Sequence, residues 1–215
     1  MTLELPILQQ HTQQISVVEW AVGHRAKSAN QISSLTSVVK STPSGFLVAV
    51  IDATQDGKDG NSAARAAAEI FEGYTHHSLV DLFNRADRCA KETGGCSISA
   101  AIFNTSYHTV TWFGVGNVQG YLHHKNPESN PRYRWLKLSQ GFVGDNRFSI
   151  RENTHPVRMN DVLVLATSGI RSDFAGALPI EGKPRVVADT LLQQFAREDD
   201  DALMLVTRYV GGSYT

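Results

Sequence analysis

The chain has 215 residues, 41% of them hydrophobic, and its 20 Lys and Arg side chains against 21 Asp and Glu give a formal net charge of −1. This length predicts a single domain over residues 1–215 that can build a core without a metal or a disulfide. A balanced charge without a basic block excludes the usual nucleic-acid binder and a polybasic membrane anchor. The longest apolar stretches are far shorter than the roughly 20 residues that cross a bilayer, so no membrane span is expected.

The chain ends and the cysteines favour a cytoplasmic location. A secretory signal has a basic flank followed by an apolar run, and residues 1–14 contain no such pattern. We expect residues 1–14 and 211–215 to be loosely held. Cys89 and Cys96 are expected to be small buried thiols that stay reduced and form no disulfide, with a redox role as the alternative.

The chain begins with strand-like segments. The first β-type runs are residues 15–22, 35–40 and 46–51. The turn Pro43-Ser44-Gly45 predicts that the last two of these runs form a hairpin.

Helical patterns follow the third strand. After a polar loop at residues 53–60, Asn61 and Ser62 are expected to cap an alanine-rich helix over residues 63–71, because Ala, Arg and Glu favour helix strongly. A second helix over residues 79–91 ends at a pair of glycines.

The second half of the chain changes to a strand period. Short β-type runs separated by turn residues occur at 97–103, 109–115, 119–123, 134–138 and 149–152. An apolar strand at 162–167, a helix within 184–197 and a last strand at 202–209 follow. Two early helices, one late helix and many antiparallel strands predict a layered α+β fold.

Two pairs of adjacent histidines, His76-His77 and His123-His124, resemble metal ligands at first sight. Adjacent side chains diverge on a strand and on a helix, so neither pair can easily chelate one ion. We interpret both pairs as surface loop residues.

Acidic side chains lie beside two apolar strands. Asp52 directly follows the run 46–51, and Asp199-Asp200-Asp201 directly precedes the run 202–206. Three successive carboxylates repel one another, and a hard cation would compensate that repulsion. The alternative is a solvated acidic turn and an ordinary acid at a strand end.

Several short motifs follow one another in a characteristic order. They are the apolar strand ending in Asp52 with the alanine-rich helix after it, Gly94-Gly95, residues 111–118 (TWFGVGNV), residues 141–144 (GFVG), residues 161–170 (DVLVLATSGI) and Asp200-Asp201-Ala202. This order resembles the metal-dependent protein phosphatase (PPM) family, and within it the SpoIIE-type and RsbX-type bacterial serine phosphatases. The resemblance implies an α-β-β-α sandwich of two antiparallel sheets flanked by helices. It also implies phosphoserine or phosphothreonine proteins of partner-switching stress or sporulation signalling as substrates.

The same resemblance implies a metal site. In the PPM family two Mg²⁺ or Mn²⁺ ions polarise the phosphate and activate a water molecule that attacks phosphorus. On this chain Asp52 would bridge the ions, the carbonyl of Ala53 would contact a metal and Asp200 would be a second carboxylate ligand. Asp52 and Asp200 are therefore the expected catalytic residues.

Two positions depart from the metal motifs of the family. Thr167-Ser168-Gly169 stands where the family has Thr-Asp-Gly, and Ser34-Leu35 stands where it has a Gly-Asp pair upstream of the bridging Asp. Leu35 cannot ligate a metal, and Ser168 is a neutral, weak ligand. Hard ions are held by carboxylate number and geometry. We therefore expect no stable two-metal centre, and either a single Mn²⁺ or Mg²⁺ ion or no ion at all.

Other side chains near these motifs are weaker candidates. Asp56, Asp59 and Asp201 are candidate substitutes for the missing carboxylates, although loop acids are more often solvated. Arg25 and Lys27 are candidates for holding a phosphate through charge-assisted hydrogen bonds. The alternative for these two residues is a pair of solvated basic side chains after the first strand.

The sequence leaves two functions open. The missing carboxylates favour a pseudophosphatase, a catalytically weakened or inactive RsbX-like and SpoIIE-like protein that binds a phosphoprotein regulator in bacterial partner-switching or stress-response signalling. The order of the motifs favours the alternative, an active Mn²⁺- or Mg²⁺-dependent protein serine/threonine phosphatase with an atypical one-metal site. An unrelated α+β domain without a metal history is the third reading.

Overall fold

The computed structural model describes residues 17–27, 33–74, 78–91, 93–145, 149–178 and 181–211. The strands in these ranges are β1 (Val18–Arg25), β2 (Leu35–Thr42), β3 (Gly45–Ala53), β4 (Cys96–Asn104), β5 (Thr109–Val115), β6 (Gln119–His123), β7 (Tyr133–Trp135), β8 (Asn153–Pro156), β9 (Val162–Ala166) and β10 (Ala202–Tyr209). The helices are α1 (Gly57–Glu72), α2 (Leu79–Ala90) and α3 (Pro184–Phe195), with a 3₁₀ segment at Ser172–Ala177. Apart from Gly211, the predicted loose ends lie outside the described ranges. None of the described helices is long and apolar enough to cross a membrane.

The strands form two antiparallel sheets that pack face to face. The first sheet has the order β1-β10-β9-β6-β7, and the second sheet has the order β2-β3-β4-β5-β8. Helices α1 and α2 pack on the outer face of the second sheet, and α3 with the 3₁₀ segment packs on the outer face of the first. The predicted α+β fold class, an α-β-β-α sandwich, is confirmed.

Strand β3 is buried on both faces, which explains its unbroken apolar sequence. Leu47, Ala49 and Ile51 pack in the cluster under α1 and α2, whereas Val48 and Val50 pack between the sheets. Successive residues of a strand point to opposite faces, so a strand covered on both sides needs apolar side chains at every position. Because β3 pairs with β2 and with β4, its end is fixed on both edges.

Helix α1 begins inside the stretch that the sequence predicts as a loop. It starts at Gly57, and Asn61 and Ser62 lie within it, so the predicted cap is wrong. The physical reason is Gly60, where a Cβ atom would lie 1.7 Å from the carbonyl oxygen of Gln55. Glycine therefore lets the first turn pack directly on the preceding backbone, a role that composition alone does not reveal.

Strand pairing decides where several strands begin and end. Strand β1 reaches Arg25, beyond the predicted end, because it pairs with β10 from Val18 opposite Tyr209 to Arg25 opposite Ala202. Strand β8 begins after the predicted run 149–152 because it pairs with the start of β5. The predicted bounds of β5, β6 and β10 are confirmed.

His123 and His124 are buried, so their interpretation as surface loop residues is wrong. The Nδ1 atom of His124 lies 2.7 Å from the Oδ2 atom of Asp161, which is itself buried. The backbone N–H groups of Lys125 and Arg158 donate to the same carboxylate. A buried carboxylate needs hydrogen-bond partners, and His124 is buried because it is one of the partners of Asp161. The pair His76-His77 lies outside the described residues.

The two cysteines differ in burial. Both are free thiols, but Cys89 is exposed and only Cys96 is buried, which corrects the expectation of two buried thiols. Cys89 lies on the outward side of α2, whose apolar face packs into the core. Burial, and then the charge of Asp52, raises the pKa of the Cys96 thiol to about 12. Cys96 is therefore protonated and unreactive at neutral pH.

Candidate functional site

Asp52 is the last residue but one of β3 and lies at one end of the sandwich. Its partners in the antiparallel pairing are Leu35 of β2 and Ser97 of β4. Paired residues on adjacent strands point to the same face of a sheet. Leu35, whose side chain packs against the core between the sheets, is therefore the direct neighbour of Asp52 on β2. An apolar side chain occupies the position that the resemblance to the PPM family assigns to a carboxylate.

Three acidic side chains near this end of β3 lie close enough to Asp52 for their charges to act on it. Burial, and then the charges of Asp200, Asp56 and Asp201, raise the pKa of Asp52 from 3.8 to about 7. Like charges disfavour the ionised form of a neighbour, so this shift reports their proximity. Asp59, which is exposed in the first turn of α1, is not among the charges that raise this pKa. The structure thus brings Asp52 and Asp200 together, with Asp56 and Asp201 as the nearer candidate substitutes.

The acidic segment that contains Asp201 is held by backbone contacts from two directions. The Oδ1 atom of Asp201 accepts a hydrogen bond of 2.6 Å from the backbone N–H of Lys27. The hydroxyl of Thr167 accepts a hydrogen bond of 3.0 Å from the N–H of Leu203, and the N–H of Thr167 donates to the carbonyl of Leu203 at 3.0 Å. Ser168, which follows directly, therefore lies beside the acids but adds no charge to them.

Gly169 allows the turn after β9 to touch the acidic segment. A Cβ atom at this position would lie 2.0 Å from the carbonyl oxygen of Asp201. We expect Gly169→Ala to destabilise the protein by about 2–3 kcal/mol, because the backbone around the acids must move to relieve this overlap. Gly23→Ala is the matched control, since its Cβ would meet neighbours at an ordinary 3.6 Å. Urea unfolding measures both variants, and equal stability would contradict the contact.

The loop after Asp52 is tied to neighbouring backbone. The N–H of Ala53 donates to the carbonyl of Ser34 at 3.2 Å, and the N–H of Thr54 donates to the carbonyl of Gly95 at 3.1 Å. The hydroxyl of Thr54 also donates to the carbonyl of Gly94. The methyl group of Ala53 is buried in the cluster under α1. The alanine therefore fits here, and its carbonyl is the group that the resemblance assigns to a metal.

Arg25 and Lys27, the predicted phosphate-binding residues, lie where β1 ends beside the acidic segment. Arg25 pairs with Ala202, and the backbone of Lys27 holds Asp201. Within the described part of the chain, the Nη2 atom of Arg25 is buried and has no hydrogen-bond partner. The side chain of Lys27 is exposed. A buried donor without a partner is costly, which distinguishes the guanidinium group of Arg25 from the exposed side chain of Lys27.

The motif at residues 141–144 closes over this end of the second sheet. Val143 exchanges two backbone hydrogen bonds with Cys96, of 3.0 and 2.8 Å, and Cys96 pairs with Ala53. The buried carboxylate of Asp87 accepts a hydrogen bond of 2.7 Å from the N–H of Gly144 and so fixes the segment to α2. Sequence reasoning missed this role of Asp87, and the signal for it was an acid on the face of α2 that is otherwise apolar.

The donors present do not fit the two-ion centre that the resemblance implies. Over the ranges that the structure describes, no group of three or more His, Cys, Asp and Glu side chains is arranged to hold a metal ion. Hard dications require several oxygen ligands, most of them charged. Leu35 and Ser168 carry no charge, so neither supplies the carboxylate that the resemblance assigns to its position.

Comparisons with known proteins agree with this architecture. No family model matches the chain. Phosphoserine phosphatase RsbX of Bacillus subtilis is 22% identical over 144 residues, which cover 67% of this chain and 70% of that protein. The crystal structure of RsbX in complex with magnesium superposes with a TM-score of 0.80 at 18% identity, covering 89% of this chain and 94% of that one.

Two further structures share the fold. A structure from the bacterial stressosome, a modular system adapted to control secondary messenger signalling, has a TM-score of 0.79 at 19% identity and covers 89% of this chain and 99% of its own. The PP2C phosphatase domain of SpoIIE from Bacillus subtilis has a TM-score of 0.68 at 15% identity, with coverage of 91% and 64%. The two antiparallel sheets, their flanking helices and these similarities confirm that the chain has the PPM phosphatase fold, in its RsbX- and SpoIIE-like form.

Proposed function

We propose that this protein acts in the bacterial cytoplasm, in partner-switching or stress-response phosphosignalling, as a catalytically weakened or inactive PPM-type phosphatase that binds a phosphoprotein regulator. The observation that carries the proposal is the pairing of Leu35 with Asp52. It places an aliphatic side chain beside the expected bridging ligand. Ser168, next to the acidic segment, is the second neutral substitution.

Charge explains why these substitutions weaken catalysis. A two-ion centre carries four positive charges, and carboxylates are the groups that offset them in Mg²⁺ and Mn²⁺ sites. Replacing two carboxylates by Leu35 and Ser168 removes two of the negative charges. Burial, and then the charges of the acids that remain, raise the pKa of Asp52 to about 7, so Asp52 is only partly ionised at neutral pH. Metal binding must then also displace a proton, which lowers the affinity further.

The proposal that a phosphoprotein still binds rests on separate residues. The guanidinium group of Arg25 has a buried Nη2 atom without a partner in the described chain, beside the acidic segment. A phosphate would supply acceptors for such a group through charge-assisted hydrogen bonds. The similarity to RsbX, a phosphoserine phosphatase, and to a stressosome structure supports a phosphoserine or phosphothreonine regulatory protein as the partner.

The crowding of acids favours one alternative, an active serine/threonine phosphatase with a one-metal site. Asp52 and Asp200 would hold a single Mn²⁺ or Mg²⁺ ion, and Asp56 and Asp201 would add negative charge around it. A bound cation would supply Lewis acidity at the phosphate and would relieve the repulsion among these carboxylates.

One experiment separates the two functions. Calorimetric titration with Mn²⁺ and Mg²⁺ is combined with assays of turnover on p-nitrophenyl phosphate and on a phosphoserine protein. We expect weak or absent metal binding and little turnover, together with binding of the phosphoprotein that Arg25→Gln weakens. Asp59→Asn is the control, because this exposed acid does not raise the pKa of Asp52. Metal-dependent turnover that Asp52→Ala abolishes would overturn the pseudophosphatase proposal and establish the one-metal enzyme.

A further inference from the structure

A cavity of about 350 Å³ opens on the outer face of the first sheet. Tyr121 of β6 and the β7 residues Tyr133 and Trp135 line one side of it, and His123 also lines it. His123 pairs with Val162 at the beginning of β9, whereas Ser168 follows the other end of that strand. The cavity is therefore separate from the acidic site.

Aromatic rings in mutual contact form one wall of the cavity. The ring of Tyr121 stacks on that of Tyr133 at a centroid distance of 5.8 Å and 18° between planes, and it meets the ring of Trp135 edge-on at 4.9 Å. Phe174 lies 6.2 Å from both Tyr121 and Trp135 and is fully buried behind them. Even so, Tyr133 and Trp135 are 54% and 46% exposed. Large apolar rings fixed in place at a surface are typical of a ligand or partner site.

The 3₁₀ segment and Leu178, which follows it, line another part of the cavity. Ala175 and Gly176 of the 3₁₀ segment line the cavity there. A Cβ atom built on Gly176 would have no neighbour within 4 Å, so the glycine leaves the space beside it empty. The aromatic rings and this apolar segment leave a slot between them that suits a flat group.

The polar groups of the cavity are few and carry positive charge. Arg132 is the only Lys or Arg among the described residues that line it. His123 is 3% exposed, and burial followed by the charge of Arg132 lowers the pKa of its ring, which is therefore neutral at pH 7. The cavity is thus lined by one cation, one neutral imidazole and two tyrosines. Few convergent polar groups in an aromatic cavity fix the orientation of a small ligand.

We propose that this cavity binds a small planar aromatic compound that carries a negatively charged group. The ring of the ligand lies between the aromatic wall and Ala175-Gly176, and its charged group is paired with Arg132. The inference does not depend on the proposed function, because none of the acids around Asp52 lines the cavity.

The test uses two anionic probes, 2-naphthoate and adenosine 5′-monophosphate, with 2-naphthamide and adenosine as their neutral counterparts. Isothermal titration of the intact protein should show saturable sub-millimolar binding of at least one anionic probe. Its neutral counterpart should bind roughly tenfold more weakly, because it lacks the charge-assisted hydrogen bond to Arg132. Failure of both anionic probes to bind at millimolar concentration would overturn the proposal.

Variants locate the binding site. Gly176→Leu should fill the slot without a clash and abolish binding, and Trp135→Ala should weaken binding of both the charged and the neutral form. Arg132→Gln should weaken only the charged form, again roughly tenfold. Trp20→Ala removes a tryptophan of similar exposure, 48%, outside the cavity and should leave binding unchanged. Melting temperatures verify that the variants fold. Binding that survives Gly176→Leu and Trp135→Ala, or that Asp52→Ala removes, would place the probe elsewhere and overturn the proposal.

Discussion

Replacing Asp52 by asparagine should stabilise the metal-free protein at pH 8 by about 2–4 kcal/mol. The folded-state pKa of Asp52, about 7, lies above the unfolded value of 3.8. The folded state therefore binds the extra proton, and the stability that this proton contributes is present at pH 4 and is lost as the pH rises through 7. Each pKa unit corresponds to about 1.4 kcal/mol, and three units give the upper end of the range. Asparagine keeps the shape of the side chain but never ionises.

The pH dependence separates this cause from a change in packing. Urea unfolding at intervals between pH 4 and pH 8 should show a stability difference between the variant and the parent that is small at pH 4 and grows towards pH 8. Asp59→Asn should show a difference that stays constant over the same range, because Asp59 is exposed and does not raise the pKa of Asp52. If the stability difference between Asp52→Asn and the parent is also independent of pH, then burial and the neighbouring acids do not raise the pKa of Asp52.

Placing carboxylates at positions 35 and 168 should raise the affinity of the protein for Mn²⁺ above that of the parent. In Leu35→Asp combined with Ser168→Asp, one new acid is the cross-strand partner of Asp52 and the other lies beside the segment of Asp200 and Asp201. Ligand charge and number tune the affinity of oxygen sites over many orders of magnitude. We expect Mn²⁺ to bind on the order of 100-fold more tightly than to the parent, as measured by calorimetry.

The charge-free control is the double variant with asparagine at both positions. It reproduces the size of the new side chains and the loss of leucine packing without adding negative charge. Without metal, the aspartate pair should be the less stable of the two variants, because it adds acids to an already crowded cluster. Excess Mn²⁺ should reverse that order by stabilising the folded state. Equal Mn²⁺ affinity of the two variants would show that carboxylates at positions 35 and 168 do not act as metal ligands.

Much of the fold follows from local patterns that tertiary contacts do not override. The bounds of β5, β6 and β10 match their predicted runs because turn residues flank short segments of strand-forming side chains. The start of α1 was missed because the reason for Gly60 is a contact with the backbone of Gln55, which only the folded chain shows. Strand β8 was placed too early because its bounds depend on pairing with β5 rather than on its own composition.

The acids of the site could be predicted because they lie in motifs whose order resembles that of the PPM family. The resemblance to the PPM family singled out position 35, and the strand register makes Leu35 the partner of Asp52. The electrostatic coupling of Asp52 with Asp56 could not be read from the sequence, because it depends on where the first turn of α1 lies. The aromatic cavity could not be read either, because its walls come from β6, β7 and the 3₁₀ segment, which are distant in sequence.

The double burial of β3 has a consequence for how readily this protein can change its chemistry. Asp52 extends from a strand that is hydrogen-bonded along both edges and covered on both faces. Segments of this kind exchange their amide hydrogens only when the whole domain unfolds, whereas sheet edges open more often. The direction in which Asp52 points is therefore maintained by the global stability of the fold and not by metal ligands. Substitutions at positions 35 and 168 can therefore change the charge around Asp52 without changing the direction in which it points.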